Sequence, residues 1–216
     1  MSLPDGVAAR LRAPRGAAIA GIIFAVLLSI VIVSMRSGLV DLRAGSGTWI
    51  SSGSGRLGAT VAVNLIPFAG IAFLWFLAVI RTSFGAAEDK LFATVFLGSG
   101  LLFVAMLFTT AAVVGSLLEL TADQDPIDAG SQAVLGALAA QLLGAFGARM
   151  AAVFTLAVTS LGVRTGMIPR WLAIIGYIVP LILFLTPPVT QWAQLLFPLW
   201  VLALSGHILH RSRDHE

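Results

Sequence analysis

Arg149 carries the strongest chemical implication in the chain, because it is the one charged residue in an apolar run that extends from 132 to 163. A guanidinium presents five N–H donors and a permanent charge, so away from water it requires carbonyl oxygens, an acid or an anion. The chemistry such a group offers is electrostatic attraction and positioning, with no proton to give or take. At 100° per residue, Ser160 lies about 20° from Arg149 around a helix and Gln141 about 80°, which makes Gln141, Arg149 and Ser160 an incomplete polar stripe. Asn64 is expected at a similar depth in another apolar run, beside the Val63 carbonyl that Pro67 deprives of its helical donor. Arg149 is expected to pair with that region; the other structural reading is that the fourth span begins near Gly144 and the guanidinium snorkels to the interface. Arg149, Asn64, Gln141 and Ser160 are thus the candidate pathway or substrate residues, and an arginine with no acid at matching depth would attract a small anion.

Other polar groups support less. Asp123, Asp125 and Asp128 supply oxygen ligands, yet their spacing departs from an EF-hand; they read as an outer loop that caps the following helix through Asp128 or Ser131. His207, His210 and His215 read as helix-terminal groups and not as a metal site. Asp5, Gly6, Ala9 and Arg10 match the opening D-G-x-x-A-R of CDP-alcohol phosphotransferases, but the downstream glycine and paired aspartates are missing. The absence of cysteine removes disulfides, thiolate metal sites and cysteine nucleophiles, and no apolar run contains the lysine that a retinal protein needs. No catalytic residue, metal or cofactor is expected, and acids and histidines are too dispersed for a lipid-modifying enzyme.

The elements that position these residues follow from composition. With 58% hydrophobic and 11% charged residues over 216 positions, the chain is far too apolar for a soluble domain. Crossing about 30 Å of hydrocarbon takes about 20 apolar residues, and six stretches qualify or nearly so: 17–35, 58–80, 91–118, 132–163, 168–186 and 190–209. The expected fold is all-α, a polytopic membrane helix bundle of six transmembrane helices (17–209), with a cytoplasmic N-terminal segment (1–16) and a cytoplasmic tail (210–216). Placing the N-terminus inside puts Arg10, Arg12, Arg15, Arg81, Lys90, Arg164, Arg170, Arg211 and Arg213 on the cytoplasmic side, against Arg36, Arg43 and Arg56 outside. The expected location is the cell (inner) membrane, multi-pass, with both termini cytoplasmic. The basic residues are scattered, so the net charge of +3 points to membrane orientation and not to nucleic acid. The first run is read as an anchor, since no small-x-small cleavage site follows it, and the Gly/Ser-rich stretch between Arg36 and Arg56 as a flexible loop. Glu88 and Asp89 suit a helix N-terminus, and Pro169, Arg170 and Trp171 suit the opening of the fifth span.

Small residues at intervals of four, Gly136, Ala140, Gly144, Ala148 and Ala152, form a packing seam. Packing within the chain is the favoured use, with a second copy or another membrane protein as the alternative. Pro67, Pro180 and Pro198 interrupt three spans and free the carbonyls of Val63, Gly176 and Gln194. Proline-broken helices occur in transporters built from inverted repeats, but no residue-level repeat accompanies them here.

The segments LIPFAGIAFLWFLAVIRTSFG (65–85), ATVFLGSGLLFVAMLF (93–108) and RTGMIPRWLAIIGY (164–177) resemble those of an uncharacterised actinobacterial family of six-helix membrane proteins. The resemblance implies the fold and the compartment over most of the chain, and implies no activity. The residues themselves favour a small channel or transporter for an anion or polar solute, requiring a water-filled cavity at Arg149; the alternative is a non-catalytic membrane subunit or scaffold that packs against itself or a partner through the seam of Gly136, Ala140, Gly144, Ala148 and Ala152, requiring a dry, paired Arg149. The lipid bilayer is the expected partner in either case.

Overall fold

Long runs of Ala, Leu, Ile, Val and Phe with few breakers favour helices, whose backbone groups pair within the segment. The computed structural model describes the backbone of residues 5–43, 53–84, 90–122, 128–185 and 191–213, and the side chains of 16–35, 53–82, 93–122, 128–185 and 192–212. Every regular element among them is helical: α1 (Asp5–Arg43), α2 (Gly53–Phe84), α3 (Lys90–Leu120), α4 (Ala129–Gln141), a π-helical turn (Leu142–Gly147), α5 (Ala148–Arg164), α6 (Arg170–Leu185), α7 (Gln191–Gln194) and α8 (Leu196–Arg213). The side chains of Arg10, Arg12, Arg15, Arg36, Arg43, Glu88, Asp89, Lys90, Asp123, Asp125, Arg213 and His215, and the loop 44–52, lie outside the described residues.

Five helical stretches are long and apolar enough to cross a membrane: Gly16–Met35, Gly53–Thr82, Ala93–Leu120, Ala129–Arg164 and Trp192–Ser212. The remaining expected span, 168–186, is the shorter α6 of 16 residues, about 24 Å long against about 30 Å of hydrocarbon. α4, the π turn and α5 form one rod of 36 residues, called the fourth helix below. It opens on Asp128, whose carboxylate accepts the Ser131 amide at 3.0 Å and the Ser131 hydroxyl at 2.6 Å. Those two bonds hold the Asp128 carboxyl below its ordinary 3.8. The rod closes in a Schellman turn: Met167 N–H donates to the Gly162 carbonyl at 2.9 Å and Gly166 N–H to that of Val163 at 3.2 Å. Gly166 supplies the positive φ of 68° that this turn needs.

α1 packs on α2 and α8, α3 lies between α2 and the fourth helix, and α5 packs on α6. Arg211 Nη1 donates to the Gly166 carbonyl at 3.3 Å, gathering Arg164, Arg170 and Arg211 at one end of the bundle, the basic end. At the opposite end Arg56 Nη2 donates to the Leu118 carbonyl at 3.2 Å, a cation on the free carbonyls of a helix C-terminus.

The prolines behave differently from the expectation that all three break their helices. α2 runs through Pro67 and α6 through Pro180 without interruption. Only the last span is divided, at Leu195, three residues before Pro198. Pro198 falls in the first turn of α8, where no intrahelical donor is required of it.

Candidate functional site

The fourth helix buries most of its surface. On α5, Ala148, Ala151, Ala152, Phe154, Thr155, Ala157, Val158, Thr159 and Leu161 are all buried. Between Phe146 and Val163, apart from half-buried Met150, what remains uncovered is one stripe at steps of three and four: Phe146, Arg149, Val153, Leu156, Ser160 and Val163. Phe146, Leu156 and Val163 are exposed, and the other three half-buried. Arg149 therefore sits among the outward apolar residues of its helix. Among the described residues no hydrogen bond or ion pair reaches it, and it does not line the interior cavity that its neighbours Ala148 and Ala151 help to form.

The expected partner is at another level. A side chain on Gly115 would meet Val63 at 3.7 Å, and one on Gly147 would meet Met106 at 3.8 Å. Nine residues of α3 separate Gly115 from Met106, and the fourth helix descends further from Gly147 to Arg149, so Asn64 and Arg149 differ by about 15 Å in height. Asn64 is exposed and donates to the Thr60 carbonyl of its own helix at 2.8 Å. Counting from the helix ends put the two residues level; the continuation of α2 from 80 to Phe84 raises Asn64 by about 6 Å, and the rest of the difference lies in how α2, α3 and the fourth helix are staggered. Gln141 is also exposed, higher on the fourth helix. Ser160 accepts a hydrogen bond from the Tyr177 hydroxyl of α6 at 3.4 Å. The four candidate residues do not converge: Arg149 and Ser160 share the outward stripe, and Asn64 and Gln141 face outward elsewhere.

The Ser160–Tyr177 contact also sets the height of Arg149 against α6. From Tyr177 to the end of α6 at Leu185 the rise is about 12 Å, while from Ser160 to Arg149 it is about 16 Å. Leu185, the last described residue of α6, thus stands about 4 Å below the arginine.

All five seam residues, Gly136, Ala140, Gly144, Ala148 and Ala152, are buried within the one chain. Residues spaced by four drift about 40° per step around an α-helix, or about 160° over the seam. The wider π turn at Leu142–Gly147 reduces that drift and keeps the seam turned inward on both sides of it.

The centre of the bundle is filled by Phe24, Phe73, Phe76, Phe96, Phe103, Phe154 and Phe197, all buried. Ring centroids lie 4.7 Å apart for Phe24 and Phe73, 5.0 Å for Phe73 and Phe154, 5.1 Å for Phe103 and Phe197, and 5.2 Å for the stacked pair Phe96 and Phe154, spacings that favour aromatic pairs. Next to them is a cavity of about 20 Å³ bounded by Leu28, Ile32, Phe103, Leu183 and Phe197, with Gln194 its one polar lining residue. That volume holds about one water molecule. Among the described residues no group of three metal-ligating side chains occurs.

The chain matches no family model, no curated protein and no solved structure.

Residues that the sequence did not single out prove informative. Most hydroxyls in these helices donate to a carbonyl four residues back, as Ser29, Ser99, Thr110 and Thr155 do at 2.6–2.8 Å. Thr159 Oγ1, Ser205 Oγ and Trp200 Nε1 are buried with no such partner. Thr159 Oγ1 presses on Gly176 of α6, where an added side chain would also meet Trp200 Nε1 at 3.0 Å, and Ser205 Oγ presses on Gly21 of α1. Glycine at 21 and 176 is what allows these close crossings. The four-residue spacing of small groups was the available signal for the fourth helix; nothing comparable marks Thr159 or Ser205.

Proposed function

We propose that this chain is an integral membrane protein of six spanning helices with both termini in the cytoplasm, serving as a non-catalytic membrane subunit that engages a partner through the Arg149 stripe of its fourth helix. Five long apolar helices support the membrane reading, and α6, short by about 6 Å, is accommodated by local thinning of the bilayer. The basic end gathered by the Arg211–Gly166 bond suits the cytoplasmic face, and the location that follows is the cell membrane.

One observation carries the subunit reading: an arginine deep in an apolar helix sits on its outward stripe without a partner among the described residues. A charge at the centre of a span costs about 2.5–3.5 kcal/mol on insertion scales; Arg149, about 22 Å from Arg164 at the basic end, costs less than that, and a neighbour offering acceptors lowers the cost further. The alternative, a channel or transporter for a small anion or polar solute, rests on the same arginine. It is less well supported, because Arg149 faces away from the water-sized cavity and the bundle centre is filled by phenylalanines.

Flux into proteoliposomes separates the two. Purified protein is expected to pass no chloride, nitrate or phosphate under any imposed voltage. Flux in the parent that Arg149→Gln abolishes, with both proteins folded and inserted, would refute the subunit reading.

A further inference from the structure

We draw no further inference here: the strongest candidate, the cluster of buried Thr159 Oγ1 and Trp200 Nε1, unpartnered among the described residues where α5, α6 and α8 meet at Gly176, belongs to the helix crossing already described and is closed by the direct packing of Thr159 on Gly176, with no space between them for a ligand.

Discussion

Replacing Ser205 with alanine should stabilise the protein, although it removes a polar group of the kind that usually ties membrane helices together. Ser205 is fully buried on α8 and its Oγ has no partner. Before packing, a serine in a lipid-embedded helix can donate to the carbonyl four residues back, as Ser99 does to Val95 at 2.6 Å. Docking α8 against Gly21 leaves the Ser205 hydroxyl without that bond, at a cost of about 1 kcal/mol for a neutral bond inside a membrane. Alanine avoids this cost and gives up the dispersion contacts of one oxygen, a few tenths of a kcal/mol. The net gain is about 0.5–1 kcal/mol, or about two- to fivefold in the folding equilibrium constant. Ser99→Ala, which deletes a satisfied hydroxyl, should lose about 0.5 kcal/mol. Equilibrium unfolding in mixed micelles, followed by circular dichroism and tryptophan fluorescence, measures both. Loss of more than about 0.5 kcal/mol in Ser205→Ala would refute the reasoning, since it would mean that the hydroxyl is bonded in the native state.

Arg149→Leu in the isolated chain should leave the unfolding midpoint in the same assay within about 0.5 kcal/mol of the parent, because an outward arginine without a partner among the described residues has the same surroundings before and after the helices pack; a clearly lower midpoint would mean that the arginine ties its own bundle together. Asp128 has a depressed pKa, so its cap contributes fully above the ordinary carboxylate value and is lost as pH falls through the lower folded one. Hydrogen exchange at the start of α4 should therefore quicken below pH 3.8 in the parent and show no such step in Asp128→Ala. Phe154→Ala, which removes a ring stacked on Phe96 at 5.2 Å, should destabilise by about 3–5 kcal/mol in the unfolding assay.

The lengths of the apolar runs made the helical architecture legible, because run length and backbone satisfaction are both local properties. Direction around a helix was less accessible. The wheel that joined Gln141, Arg149 and Ser160 assumed a uniform 100° per residue, and the π turn at Leu142–Gly147 breaks that assumption between Gln141 and Arg149. Relative height was harder still: Asn64 and Arg149 looked level when counted from their own helix ends, and only the Val63–Gly115 and Gly147–Met106 approaches separate them. α6 met its composition criteria but begins at Arg170 and not at 168, because Pro169 stands outside the helix and its carbonyl accepts the Ala173 amide at 3.0 Å. Thr155 and Thr159 are chemically identical, and only the proximity of Gly176 distinguishes the bonded one from the orphan.

The central claim, that the Arg149 face looks out of the bundle and not into an aqueous path, is best tested by spin labels on single cysteines, which the cysteine-free chain accepts without background. In lipid vesicles, labels at Phe146, Arg149 and Leu156 should collide freely with oxygen and little with a water-soluble nickel chelate, while labels at Ala151 and Val158 should be shielded from both. Strong chelate collisions at Arg149 together with weak oxygen collisions would place it in a water-filled path and contradict the account.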